Sequence, residues 1–295
     1  MSDYSRVLVL GAASWNRLVY VDALPQGHSA TIFSGWETEA VGSTGVGKSM
    51  ALSALGFAPT FHCSVGQDSR AEQIIAACED RDIRMLVDRS NAPTAHHLNL
   101  MDKQGGRYSI FLSNGDPDPN IDEDRIAQEI NAATTIFLSL SVSSKKLLHL
   151  VGNCKAEILL DLHDYDGSNP WYEDFIACAD VIQLSDVALH DEKLVIARLL
   201  SGRAKQVVLT RGADGAEIFT ETQHETIPVC PAQMSDSNGA GDTFSVALWL
   251  GQRRGLNLYD AGKFAASAAA FSVESACLTP REIPIEQVIF RAENL

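Results

Sequence analysis

Short apolar runs alternate with helical patterns along this chain. Val7-Leu8-Val9-Leu10 is four consecutive apolar residues, and comparable runs recur at 135–140, 157–162, 180–184 and 206–210. Runs of this length without polar alternation fit strands buried on both faces of a parallel sheet. Between them, apolar residues recur at helical spacing at 48–55, 69–81, 122–132, 144–151 and 191–200, and a long small-residue stretch at 261–274 keeps the same period. Strand and helix in alternation predict an α/β fold, a doubly wound and mostly parallel sheet.

Two segments break the pattern. Leu18 to Ala40 and Thr94 to Leu112 alternate as half-exposed strands, with turn signals at Pro25-Gln26-Gly27 and Asp102-Lys103-Gln104-Gly105-Gly106. Strands with one wet face, inserted into a parallel α/β chain, predict a small sheet standing off the main body. Such a flap covers a ligand site or makes a dimer contact. The chain thus reads as a single domain over 1–295, with lid strands inserted at about 14–40 and 94–113.

Composition narrows the function classes. The 295 residues are 45 % hydrophobic and 21 % charged, and 23 basic residues against 38 acidic ones give a net charge of −15. A surface of that sign repels nucleic acid and anionic membranes, while leaving room for a local phosphate pocket. No run approaches the roughly 18 apolar residues of a membrane helix. The apolar run after Arg6 is too short for a signal peptide and reads as the first strand. Cys63, Cys78, Cys154, Cys178, Cys230 and Cys277 stand singly, as small core residues of a reduced, cytoplasmic protein rather than a disulfide or zinc framework.

Near the C-terminus, Asp236-Ser237-Asn238-Gly239-Ala240-Gly241-Asp242-Thr243-Phe244 precedes the apolar run 245–250. A loop of small residues opening a helix lets backbone N–H groups approach an anion, and the helix N-terminus adds a favourable dipole. Asp242 falls in the first turn, at the edge of such a site. A carboxylate there opposes anion binding, which points to a chemical task, accepting a proton from an attacking hydroxyl. An Asp capping box behind a glycine turn accounts for the same residues.

The segment resembles the C-terminal signature of the ribokinase-like (phosphofructokinase-B type) carbohydrate kinases, D-T-x-G-A-G-D. Gly66-Gln67-Asp68 resembles that family's V-G-x-D segment, Thr210-Arg211-Gly212 with Gly215 its T-x-G-x-x-G nucleotide loop, and the helix at 265–273 the wall of its adenine pocket. The two-part strand insertion resembles its lid. The resemblance implies an ATP-dependent phosphotransferase acting on a hydroxyl of a sugar or sugar-like molecule, with Mg²⁺ and, through Asp236, a monovalent cation such as K⁺. It implies Asp242 as the base and Gly239, Ala240 and Gly241 as the anion hole. It further places Thr210, Gly212, Gly215 and Asn238 at the nucleotide, and a homodimer paired through lid strands.

Departures fall at the sugar end. The family's G-G-x-G-x-N signature reads Gly42-Ser43-Thr44-Gly45-Val46-Gly47, so Ser43 replaces a glycine and Gly47 replaces the asparagine that holds a sugar hydroxyl. The aspartate that grips sugar hydroxyls corresponds to Asn16, which still hydrogen-bonds but carries no charge. Asn16, Gly42, Ser43 and Gly47 are therefore the expected substrate positions. The N-x-x-E motif, tied to Mg²⁺ and phosphate, falls on Ser185-Asp186-Val187-Ala188, where both characteristic residues are missing and Asp186 is the nearest substitute. Two other functions stay open: a nucleoside kinase in which Trp15 and Trp36 stack on a base, and a non-catalytic descendant that kept the fold.

Gly42-Ser43-Thr44-Gly45-Val46-Gly47-Lys48-Ser49 also fits G-x-x-x-x-G-K-[ST], the phosphate-cradling P-loop of a different class of nucleotidase. A P-loop follows a buried parallel strand, whereas Trp36-Glu37-Thr38-Glu39-Ala40-Val41 alternates and carries two glutamates. The expectation is then that 42–47 form a glycine-rich turn, that Lys48 begins the helix behind it, and that Lys48→Ala affects nucleotide binding only mildly. His96 and His97 face opposite sides of a lid strand, as surface or packed histidines. Asp161, His163, Asp164 and Asp166 read as a solvated acidic loop, and Asn114-Gly115-Asp116 as a turn or a phosphate neighbour.

Overall fold

The computed structural model describes residues 6–29, 31–103 and 106–295; residues 1–5, Ala30, and Gln104 and Gly105 of the expected lid turn lie outside the described residues. The strands are β1 (Val7–Leu10), β2 (Ser14–Tyr20), β3 (Trp36–Gly42), β4 (Thr60–Val65), β5 (Arg84–Arg89), β6 (His96–Met101), β7 (Arg107–Ser113), β8 (Thr135–Ser139), β9 (Glu157–Asp161), β10 (Val181–Ser185), β11 (Gln206–Thr210), β12 (Ala216–Thr220) and β13 (His224–Ile227). The helices are α1 (Thr44–Ala54), α2 (Ser69–Glu79), α3 (Glu123–Ala132), α4 (Val142–Lys146), α5 (Leu148–Val151), α6 (Glu173–Ile176), α7 (Glu192–Leu200), α8 (Ala240–Arg253), α9 (Leu258–Val273) and α10 (Ile285–Glu293). No helix among the described residues is long and apolar enough to cross a membrane.

One sheet has the order β13-β12-β11-β10-β9-β8-β1-β4-β5. Its strands from β11 to β5 run parallel, and β12 and β13 close one edge antiparallel. Alternation in β1 sorts the core. Val7 and Val9 face the layer made by α1, α2, α8, α9 and α10, while Leu8 and Leu10 face Ile126 and Ile130 of α3 and Val195 and Leu199 of α7. The second sheet, β3-β2-β6-β7, is the expected flap. Its β2–β3 and β6–β7 pairs are antiparallel, and β2–β6 is parallel.

Strands β4, β5, β12 and β13 and helix α10 were not expected from the pattern. Polar residues disguise β4 and β5, yet they are buried: His62 Nε2 hydrogen-bonds Asp88 across the two strands at 2.8 Å, and Arg125 of α3 holds the other carboxylate oxygen at 2.5 Å. A satisfied ion-pair chain takes the place of apolar side chains there. The stretch 144–151 is two short helices rather than one, and α9 begins three residues before the expected 261.

The expected glycine-rich turn is also corrected. Helix α1 starts at Thr44, so Gly45, Gly47 and Lys48 lie inside it. Gly45 serves close approach instead of turning: a Cβ there would lie 2.6 Å from the Ala12 carbonyl oxygen and 2.8 Å from Phe61. The reversal falls on Ser43, whose φ of 76° and ψ of 151° belong to a backbone region essentially reserved for glycine. Its hydroxyl shares a 2.9 Å hydrogen bond with Ser14, which offsets part of the strain. Ser43→Gly is therefore expected to raise stability by about 1 kcal/mol, read as a higher chemical-denaturation midpoint at unchanged slope. An unchanged midpoint would show that the strain is not there.

Candidate active site

The carboxyl ends of the parallel strands point toward the four-stranded sheet, and between them lies a cleft of about 1020 Å³. In doubly wound sheets this is where ligands gather. The wall on the strand side includes Asp161, Gln183, Ser185 and Thr210; the lid side includes Asn16, His97, Arg107 and Phe111. The loop before α8 closes one end.

That loop is built by its own side chains. Asp236 is buried, and its Oδ1 accepts the backbone N–H of Asn238 at 2.9 Å and the Asn238 amide at 2.7 Å. Gly239 has φ 79°, and a Cβ there would lie 1.9 Å from the Leu278 carbonyl oxygen, so only glycine fits. Helix α8 then begins, its first N–H groups having no partner within the helix. Gln183 Nε2 donates to the Gly241 carbonyl at 3.0 Å and ties the first turn to β10. Gln183 Oε1 is left buried without a hydrogen-bond partner.

Asp242 lines the cleft but is 9 % exposed. Lys48, fully buried at 0 %, reaches it: the Nζ lies 2.7 Å from Asp242 Oδ1 and 2.5 Å from Asp161 Oδ2. Asp161 Oδ1 accepts the His163 N–H at 2.8 Å. Asp242 Oδ2 sits over Gly47, where a Cβ would come within 1.9 Å. Burial raises the Asp242 pKa above the ordinary carboxylate range; Lys48 opposes this and the Asp161 charge adds to it. Burial pushes Asp161 the same way, but Lys48 and His163 outweigh it and hold that carboxyl below its usual value. Burial alone would lower Lys48, yet its two carboxylates leave the ammonium raised, and it stays charged.

Several expectations need correction here. Lys48 is no bystander at the start of a helix; it is at the centre of the charge cluster, paired with two carboxylates. Asp161 is a buried partner of that lysine and not part of a solvated acidic loop. Gly47 is not on the cleft wall but behind Asp242, and Ala240, Gly212 and Gly215 are likewise absent from the lining. Gly215, with φ 88°, shapes the turn between β11 and β12, and a Cβ there would meet the Ile227 carbonyl at 2.2 Å. Residues 265–273 pack mostly inside the core; Ala276, Cys277 and Leu278 line the cleft in their stead. Trp36 stacks on Tyr20 at 4.0 Å and Trp15 donates to Glu39 at 2.9 Å, neither being in the lining.

Other expected positions do converge. Asn16, Gly42, Ser43, Thr210, Asp236, Asn238, Gly239, Gly241 and Asp242 all line the cleft. Asn16 is 6 % exposed and its Oδ1 has no partner. Gly42 leaves it room, since a Cβ there would lie 2.0 Å from the Asn16 amide nitrogen. Unexpected members of the lining are Gln183, Arg107, Trp171 and Tyr172, and Lys48 stands behind it, paired with Asp161 and Asp242. Lys48 had a readable signal: a lone charge among Val46, Met50, Ala51 and Leu52 must be buried, and a buried ammonium must be paired.

A carboxylate cage for Mg²⁺ does not fit these residues. The N-x-x-E positions hold Ser185 and Ala188, Asp186 lies 3.4 Å from Arg211, and no group of three His, Cys, Asp or Glu among the described residues could hold a metal ion. Asp236, the expected K⁺ residue, spends one oxygen on Asn238.

Comparison with known proteins gives the family and the fold. Residues 38–282 match the family model described as pfkB family carbohydrate kinase. An acarbose 7(IV)-phosphotransferase of Actinoplanes sp. is 28 % identical over 291 residues, covering 95 % of this chain and 94 % of that one. Among solved structures, a microbiome-derived acarbose kinase superposes with a TM-score of 0.86 at 24 % identity, over 99 % of this chain and 100 % of the other. The ribokinase of Arabidopsis thaliana, solved with ribose and ATP, superposes with a TM-score of 0.80 at 20 % identity, over 98 % and 99 %. With its nine-stranded sheet, four-stranded flap and glycine loop ahead of Asp242, the chain belongs to the pfkB family of carbohydrate kinases.

Proposed function

We propose that this chain transfers the γ-phosphoryl group of ATP, supplied as MgATP, to a hydroxyl of an unphosphorylated sugar or sugar-like molecule of oligosaccharide size, acarbose being the first candidate. The observation that carries the reading is Asp242 on the cleft wall in the first turn of α8, next to the Gly239 turn. In the reaction the acceptor oxygen bonds to phosphorus, the bond from phosphorus to the bridging oxygen breaks, and ADP leaves. Asp242 takes the hydroxyl proton. The first N–H groups of α8, with Gly239 and Gly241 behind them, face the negative charge of the transferred group. Asp236 and Asn238 hold that loop, and Thr210 supports the nucleotide end. The Mg²⁺ belongs to the nucleotide in this reading, and Asp236 is the residue nearest a K⁺ role.

Three features favour the acceptor class. Asp116, Asp161, Asp164, Asp236 and Asp242 line the cleft, while Arg107 is the lysine or arginine found in its described lining. That balance repels an acceptor already carrying a phosphate. The unpartnered Asn16 Oδ1 and Gln183 Oε1 are acceptors, which suit a ligand rich in hydroxyl donors. Trp171, Tyr172 and Phe111 offer apolar faces for sugar rings, and the 28 % identical relative is named for acarbose. The same reading takes the flap as the lid. Exposed Trp36, Tyr108 and Leu112 on its outer strands suit pairing between two copies in a reduced, cytoplasmic setting.

Asp242→Asn should lower kcat by about 100-fold or more while changing ATP affinity little, measured by ADP release and by nucleotide titration; unchanged turnover would remove Asp242 as the base. Acarbose should outperform ribose in an ATP-consumption panel, and fructose 6-phosphate should give no turnover; efficient use of the phosphate ester would overturn the acceptor class. Asn16→Ala should raise the acceptor KM by about 10-fold and leave the ATP KM unaltered, and a shift in the ATP KM alone would place Asn16 at the wrong ligand.

A further inference from the structure

We infer that Lys48 is a positioning residue for Asp242, and that Gly47 and Lys48 act as a pair: the ammonium holds one carboxylate oxygen while the absent side chain at 47 leaves room for the other. The inference deepens the reading of Asp242 as the base and rests on it.

The geometry is specific. Lys48 projects from α1 between the end of β9 and the first turn of α8, with its Nζ 2.5 Å from Asp161 Oδ2 and 2.7 Å from Asp242 Oδ1. Lys48 is absent from the cleft lining, so it acts through Asp242 and touches no ligand. Any side chain at 47 would strike Asp242 Oδ2, at 1.9 Å from the Cβ alone. An asparagine at 47 and this orientation of Asp242 are therefore incompatible. The change to glycine at 47 and the lysine at 48 answer one steric and electrostatic problem together.

The second carboxylate has a reason too. Lys48 and two aspartates carry a net charge of one negative unit. When Asp242 takes up the acceptor's proton, the cluster becomes neutral, and Lys48 still has Asp161 as an ionised partner. With Asp242 alone, the proton transfer would strand an unpaired ammonium in the interior, at a cost that opposes the reaction. Asp161, fixed by the His163 N–H, keeps the lysine in place in both states of the base.

The discriminating variant is Lys48→Met/Asp161→Asn. It removes the ammonium and one carboxylate, so the site keeps the same net charge and keeps Asp242. Kinetics with ATP and acarbose should show kcat about 100-fold lower, with the ATP KM within about threefold of wild type and a near-native melting temperature. A purely structural lysine predicts the opposite, full recovery of kcat once stability is recovered, and that result overturns the inference. A tenfold or larger rise in the ATP KM with kcat kept would also overturn it, by making Lys48 a nucleotide contact. Should the double variant not fold, Gly47→Ala decides: kcat should fall about 10-fold or more at unchanged ATP KM, and full activity refutes the pairing. Asp242→Asn is run beside them. If that variant turns over normally, it is the base assignment that has failed, and Lys48 is then judged on its own.

Discussion

A lysine ammonium buried between two carboxylates is the constraint around which this molecule is arranged. Taking charges out of water costs several kcal/mol per ion unless partners meet them at hydrogen-bond distance. The 2.5 and 2.7 Å contacts of Lys48 satisfy that condition and bind three elements to one point: the first turns of α1, the end of β9 and the first turn of α8. Helix α1 comes close enough only because it is thin on the sheet side. Gly11 and Gly45 meet backbone to backbone, and a Cβ on Gly11 would lie 2.9 Å from the Gly45 Cα. Helices α8 and α9 close up in the same manner, at Gly251 against Ala261. Small residues set the helix positions, and the helix positions bring the charges together.

The lid is tied to the same region by polar contacts. Arg107 of β7 donates to Asn238 Oδ1 at 2.8 Å, in the loop that carries the first turn of α8. The Tyr20 phenol, on β2, has its pKa pushed up to about 12 by burial and by the Asp236 carboxylate beside it. Asp68, which caps α2, also accepts the Thr94 N–H at 2.9 Å and its hydroxyl at 2.7 Å, where the second lid segment begins. The flap is therefore anchored on the main body at one side and rests on the loop before α8 at the other. Its own buried apolar side chains are Leu18, Val21, Val41 and Met101, so polar and apolar contacts share in seating it.

Much of this was legible in residues alone, for a physical reason. A parallel strand buried on both faces must be apolar throughout, so β1, β8, β9, β10 and β11 announced themselves, and the alternation of the lid strands set them apart. The loop before α8 was legible because its run of small residues stands out, and at Gly239 the Leu278 carbonyl leaves no room for a side chain. What escaped was burial achieved by pairing. His62, Asp88 and Arg125 make β4 and β5 look like surface, Lys48 reads only as a residue of the helix behind the turn, and Asp161 reads as part of an acidic loop. Residues 113 positions apart reveal their partnership only once the sheet has folded. The match of 42–49 to a P-loop pattern fell on a lysine that the fold buries between two carboxylates, Asp161 and Asp242.

The departures from the family pattern bear on whether this site works. A descendant that had lost its chemistry would have no use for a buried ion triad, since packed apolar side chains of similar volume serve a core equally well or better. Here the departures fit one another. Gly47 clears space for Asp242 and Lys48 holds it; Gly42 clears space for Asn16, whose carbonyl oxygen then stays buried without a partner. Ser43 occupies a glycine conformation and hydrogen-bonds Ser14 across the start of the lid. Each change costs something on its own, in strain, in desolvation or in an unmet acceptor, and two of the three costs fall where a substrate would repay them. A set of mutually accommodating costs around one carboxylate argues against a site left to decay, where nothing would hold such costs together.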